Sequence, residues 1–166
     1  MEVSNLNNSP ISRNQEVLSY LIDHLGTRNK SRKKLMKLMF LMEYYDLNLE
    51  KLTDKQFLGN DFIIYKYGVF SSDVMEDLLE LNMKGILEDY PLRILKEIPF
   101  DLEKETTSRA DSILMRFGDK YGYQLENFTL SLLHLNKETK KKYIGRSVVP
   151  FIKAVNTGTK PAFAYT

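Results

Sequence analysis

The chemistry open to this chain is limited by its residue types. Two histidines, His24 and His134, and no cysteine supply every imidazole and thiol in its 166 residues. That excludes a thiolate zinc site, an iron–sulfur cluster, a disulfide framework and a cysteine nucleophile. His24 stands beside Asp23 and His134 among leucines, which reads as two ordinary helix histidines rather than a pair of metal ligands. Ser71-Ser72-Asp73 sets hydroxyls near a carboxylate, but a helix N-cap accounts for that cluster. Gly118-Asp119-Lys120-Tyr121-Gly122 and Gly158-Thr159-Lys160 combine glycine with lysine and lack P-loop spacing. The paired carboxylates Glu76-Asp77 and Glu88-Asp89 fall on a helix surface and a hairpin turn. These residues predict a protein that is not an enzyme and holds no metal or cofactor.

One segment stands out as a binding feature. Tyr65-Lys66-Tyr67-Gly68-Val69-Phe70-Ser71-Ser72-Asp73 reads as a strand-to-helix corner. Gly68 would supply a positive φ there, and a helix N-terminus would follow with free N–H groups beside tyrosines. In one reading Tyr67 and Phe70 plug the core. In the other Tyr65, Lys66, Tyr67, Gly68, Phe70 and Ser71 form a recognition surface, and the two are compatible.

Charge is unevenly placed although the net is only +2. Six basic residues and no acid lie between Arg28 and Lys37, and residues 137–166 carry +6. The stretch from Leu38 to Asn136 carries −8. Two basic segments bracketing an acidic middle fit either solvated helix faces or an anion-binding face. The candidate nucleic-acid contacts are Arg32, Lys33, Lys34, Lys37, Lys140, Lys141, Lys142 and Arg146.

The elements that must carry these residues follow from periodicity. Ser12 and Gln15 have capping-box spacing, and Val17, Leu18, Leu21, Ile22 and Leu25 recur at helical intervals until Gly26. A second helix is predicted from about Asn29 to Tyr45. Past its basic start it is apolar on nearly every face, which marks the central helix of the domain. Asp46 to Asn60 reads as a loop or short helical turn, and Phe62 to Tyr65 as a strand. Ser71 to Asp73 caps a third helix, whose stripe is Val74, Met75, Leu78, Leu79 and Leu81. A small hairpin follows, turning at Glu88 to Pro91.

Further on, Ile113, Leu114, Phe117 and Tyr121 define a helix closed by Gly122. Leu125 to Leu135 defines another, Lys137 to Tyr143 a basic turn, and Pro150 to Val155 a short helix. The predicted fold is mainly α with a little β: a compact helical domain with a short strand, a small hairpin and a winged-helix-like core. Residues 1–11 are read as a flexible lead-in, 12–157 as one domain and 158–166 as a loose tail. Met1 to Pro10 is polar rather than a signal peptide, and no apolar run approaches the roughly 20 residues of a membrane span. A cytoplasmic location is expected.

Three of these stretches resemble the Panacea-type antitoxin domain. Lys34-Leu35-Met36-Lys37-Leu38-Met39-Phe40 is similar to the family's opening "K-L-x-K-L-x-(Y/F)" helix. Tyr65-Lys66-Tyr67-Gly68-Val69-Phe70-Ser71 falls where the family has "W/Y-x-(Y/H)-G-P". Val74 to Leu78 then follows like "V-Y-x-x-L". The ending Phe70-Ser71 and residues 81–86 look closest to an uncharacterised "G-P-F-S" branch from bacteria, archaea and phages. The likeness spans about residues 30 to 98, and Val69 replaces the usual proline.

The resemblance implies a mainly helical, non-enzymatic domain. Its relatives bind and neutralise small toxins encoded beside them, or travel on mobile elements. On that likeness the corner Tyr65 to Ser71 belongs to the functional surface. The expected partner is thus a protein, such as a toxin encoded nearby, and a homodimer stays open. A winged-helix DNA-binding regulator is the alternative, drawn from the helix-then-hairpin order at Asp73 to Ile98 and the basic clusters. The predicted reading helix is acidic, which counts against it because phosphate attraction dominates DNA affinity.

Overall fold

The computed structural model describes residues 11–96 and 98–163; the lead-in at 1–10 and the last three residues lie outside them. Among the described residues six helices and six short strands alternate. They are α1 (Arg13–Leu25), α2 (Arg32–Tyr44), β1 (Tyr45–Asp46), β2 (Lys51–Leu52), β3 (Ile63–Tyr65) and β4 (Gly68–Phe70). Then come α3 (Ser72–Met83), β5 (Leu87–Asp89), β6 (Leu92–Ile94), α4 (Lys104–Phe117), α5 (Gly122–Leu132) and α6 (Val149–Thr157). A 3₁₀ turn over Thr139–Tyr143 precedes α6. The strands pair as sequence neighbours, giving three two-stranded antiparallel hairpins in a mixed α+β fold, and β3 also bridges to Ser147.

The helices begin and end where local chemistry dictates. Ser12 Oγ accepts the Gln15 N–H at 3.1 Å while Gln15 Oε1 accepts the Ser12 N–H, a complete capping box. Gly26 closes α1 at φ 60°. In α2 every residue from Lys34 to Tyr44 is buried, because α1, α3, α4 and α5 all pack on it. That is the environment its all-round apolar sequence requires. Arg109 of α4 holds its C-terminal end, donating to Met42 O at 2.7 Å, Leu41 O at 3.0 Å and Tyr45 O at 2.7 Å. These carbonyls lie at and just past the helix end, where backbone partners run out; Leu41 O accepts the Tyr45 N–H as well.

Several expectations are corrected. Residues 46–60, expected as a loop or short helical turn, hold all of the β1–β2 hairpin except Tyr45, which lies opposite Leu52, and run on as loop. Glu43 organises the rest: its buried carboxylate accepts from the N–H groups of Leu58 at 2.6 Å, Gly59 at 2.7 Å and Asn60 at 3.1 Å. Gly122 opens α5 instead of closing α4; α4 ends at Gly118, where a Cβ would meet Leu114 O at 2.4 Å. His134 lies past α5 with φ 58°, not within a helix. The tail is docked as far as Phe163, whose ring centre is 5.4 Å from that of Phe151 and 5.8 Å from that of Tyr143. The expected order of α3 followed by a hairpin, β5–β6, is present.

Candidate interaction site

The tyrosine corner is a β-hairpin. Ile63 pairs with Phe70, Ile64 with Val69 and Tyr65 with Gly68, leaving Lys66 and Tyr67 as its two-residue turn. Neither turn residue has a positive φ; Gly68 takes it instead, at 93°. A left-handed backbone there favours glycine. Space is tight as well, since a Cβ on Gly68 would sit 3.0 Å from Glu126 Cγ, which would have to shift. The strand's other edge is held by the segment before α6, through Ile64 N–H to Arg146 O at 2.8 Å and Gly145 N–H to Ile64 O at 2.7 Å.

The corner separates its residues into outer and inner sets. Tyr65 and Tyr67 are exposed, Tyr67 by 59%, and Lys66 stands in solvent between them. Phe70 is half-buried, its ring centre 5.2 Å from that of Tyr65. Gly68 and Ser71 face inward. Ser71 Oγ accepts the Val74 N–H at 3.3 Å as the N-cap of α3. These two shape the corner, and the three polar or aromatic side chains at 65–67 form its outer face.

Beneath the hairpin lies a cluster of lysines around one carboxylate. Glu126 of α5 is buried, with Lys33 Nζ at 2.5 Å from Oε1 and Lys140 Nζ at 3.0 Å from Oε2. Lys140 also donates to Lys66 O at 2.7 Å and Lys37 to Val69 O at 2.9 Å, so both ends of the turn are tied to the cluster. Burial pushes the Glu126 carboxyl up, but the hydrogen bonds from Lys33 and Lys140 outweigh it and hold it below the ordinary range. Lys37 is only 2% exposed. Its burial lowers the ammonium's pKa to about 7; Glu126 opposes that shift, and Lys33 and Lys140 add to it.

A second pair of tyrosines flanks a glycine that lies against the Lys33 stem. The Lys33 ammonium is 5.5 Å from the centre of the Tyr67 ring, and its stem runs past Gly122, whose Cβ would lie 3.4 Å from Lys33 Cγ. Tyr121 and Tyr123 flank that glycine, both more than half exposed, with ring centres 6.0 Å apart and planes 13° from parallel. Sequence reasoning missed this pair by counting Tyr121 in a core stripe. Tyr121-Gly122-Tyr123, a repeat of aromatic, spacer, aromatic, was the available signal.

The remaining basic residues are scattered. Arg32 is paired with Asp89, Nε to Oδ1 at 2.8 Å, in an ion pair that fastens α2 to β5. Lys34 is buried and caps α4 through Gly118 O at 2.5 Å; burial first and Arg28 second lower its pKa. Lys141 lies 3.3 Å from Glu138, Lys142 is exposed, and Arg146 covers the Phe163 ring at 4.8 Å. The eight candidate nucleic-acid contacts thus form no single exposed row. The helix α3 exposes Asp73, Glu76 and Glu80.

Among the described residues there is no group of three His, Cys, Asp or Glu able to hold a metal ion, and no helix long and apolar enough to cross a membrane. A polar cleft of about 770 Å³ lies between β1 and α4, floored by Arg109 and Phe57. Its principal cation is committed to the end of α2, the guanidinium resting 5.1 Å from the centre of the Phe57 ring. No protein-family model, no curated protein and no solved structure matches this chain.

Proposed function

We propose that this chain is a non-enzymatic protein-binding module, antitoxin-like in its action, that captures and neutralises a protein partner. Its docking face is formed by Tyr65, Tyr67, Tyr121 and Tyr123 around Lys33. The observation that carries the reading is that two pairs of exposed tyrosines border the same Lys33 side chain, one at its ammonium and the other flanking the glycine its stem crosses. Tyrosine offers a large amphipathic surface at low entropic cost and recurs at the energetic centres of protein interfaces. Here the rings stand on a tight hairpin and a helix start, both fastened to the Glu126 cluster, so little order is lost on binding. The resemblance of residues 34–40 and 65–71 to the Panacea-type antitoxin domain supports the reading, since by that analogy the corner Tyr65 to Ser71 belongs to the functional surface.

The test is capture of partners from the native host by the wild-type chain and by a Tyr67→Ala/Tyr123→Ala variant. Both substitutions are at exposed positions and should leave the melting temperature unchanged. The variant should lose the protein that the wild type retains; equal recovery by both would contradict the reading.

The alternative of a winged-helix DNA reader draws support from the order of α3 and β5–β6. The acidic face of α3 and the burial of Lys34, Lys37 and Lys140 weigh against it, because affinity for DNA grows with the number of phosphates neutralised.

A further inference from the structure

The docking face has a charge as well as a shape. Resting on the reading above, we infer that it receives an acidic segment: an extended stretch of a partner protein presenting Asp or Glu side chains to Lys66 and Lys33. Three lysines, Lys33, Lys37 and Lys140, surround the single carboxylate of Glu126. Glu126 accepts one ammonium on each oxygen, so two paired lysines against one carboxylate leave the cluster positive even where Lys37 is neutral. The outer surface continues it. Lys66 holds its ammonium 5.6 Å from the Tyr67 ring centre, and Lys33 approaches the same ring at 5.5 Å. A carboxylate arriving at Tyr67 meets two cations and relieves their mutual repulsion, whereas a basic segment would add to it.

Nucleic acid is also anionic and stacks on tyrosine. Its backbone, however, is held by a track of exposed cations. Here Lys37 and Lys140 are buried and Arg32 is occupied by Asp89. A short acidic peptide needs only the two lysines that the tyrosines frame.

The experiment titrates the full chain against three fluorescein-labelled probes by anisotropy at low salt. These are a decaglutamate peptide, its all-glutamine counterpart and a ten-nucleotide oligothymidylate. Decaglutamate should bind, the glutamine peptide should not, and raising salt should weaken the complex. Lys66→Glu should weaken decaglutamate binding at least tenfold, while Lys153→Glu, on the exposed face of α6, should change it less than twofold. Unchanged melting temperatures confirm that both variants fold. Decaglutamate bound no better than the glutamine peptide, equal binding by wild type and Lys66→Glu, or tighter binding of oligothymidylate would each overturn the inference. If any of these occurs while Tyr67→Ala/Tyr123→Ala still loses its captured protein, the dock stands and only its preference for acid falls. If that variant keeps the protein, the dock itself falls.

Discussion

Lys37 shows how a single residue couples the interaction site to stability. Its amine sits under the hairpin with one acceptor, Val69 O, and two lysines nearby. Because burial lowers its pKa to about 7, the unfolded chain binds more protons than the folded one between about pH 7 and the ordinary lysine range. Stability from this group therefore rises with pH across that window, and the cost of burying the charge is fully present below it. Lys37→Met keeps the length of the side chain and removes the charge. The variant should melt at or above the wild type at pH 7, and its advantage should shrink by several degrees as pH approaches 9.5. In a domain of this size each kcal/mol moves Tm by about 2–4 °C. Calorimetric melting of both proteins over that range is the check; parallel profiles would show that Lys37 is not held near neutrality.

The β3–β4 hairpin carries the site at the level of elements. Gly68→Ala would force a side chain into φ 93° and against Glu126 Cγ at 3.0 Å. It should cost about 1–3 kcal/mol, read as a lower urea midpoint. A midpoint equal to wild type would mean that the glycine is not required. This glycine, the caps at Ser12 and Ser71 and the central place of α2 were legible in the sequence, since each rests on local chemistry or on periodicity. The destinations of the lysines were not. Periodicity places Lys34 and Lys37 on a helix but does not say that Gly118 O and Val69 O wait to accept them. The approach of both Tyr67 and Gly122 to Lys33 depends on α5 packing beside α2, a tertiary contact with no trace in local spacing. The β1–β2 hairpin, two residues per strand, is too short for its alternation to register.

At the scale of the molecule, several cations hold helix ends together. Arg109 closes α2, Lys34 closes α4, and Arg28 donates to His24 O at 2.7 Å and Leu25 O at 3.1 Å at the end of α1. Of the basic residues beside the tyrosines, Lys33 is partly exposed and Lys66 stands free in solvent, which concentrates recognition on one small face. The most direct measurement of that claim is tyrosine-directed chemical footprinting of the chain with its captured partner bound, read by mass spectrometry. Tyr90, 86% exposed at the β5–β6 turn, serves as the internal reference. The account predicts that Tyr67 and Tyr123 become several-fold less reactive in the complex while Tyr90 is unchanged. Tyr67 and Tyr123 remaining as reactive in the complex as in the free chain would contradict it.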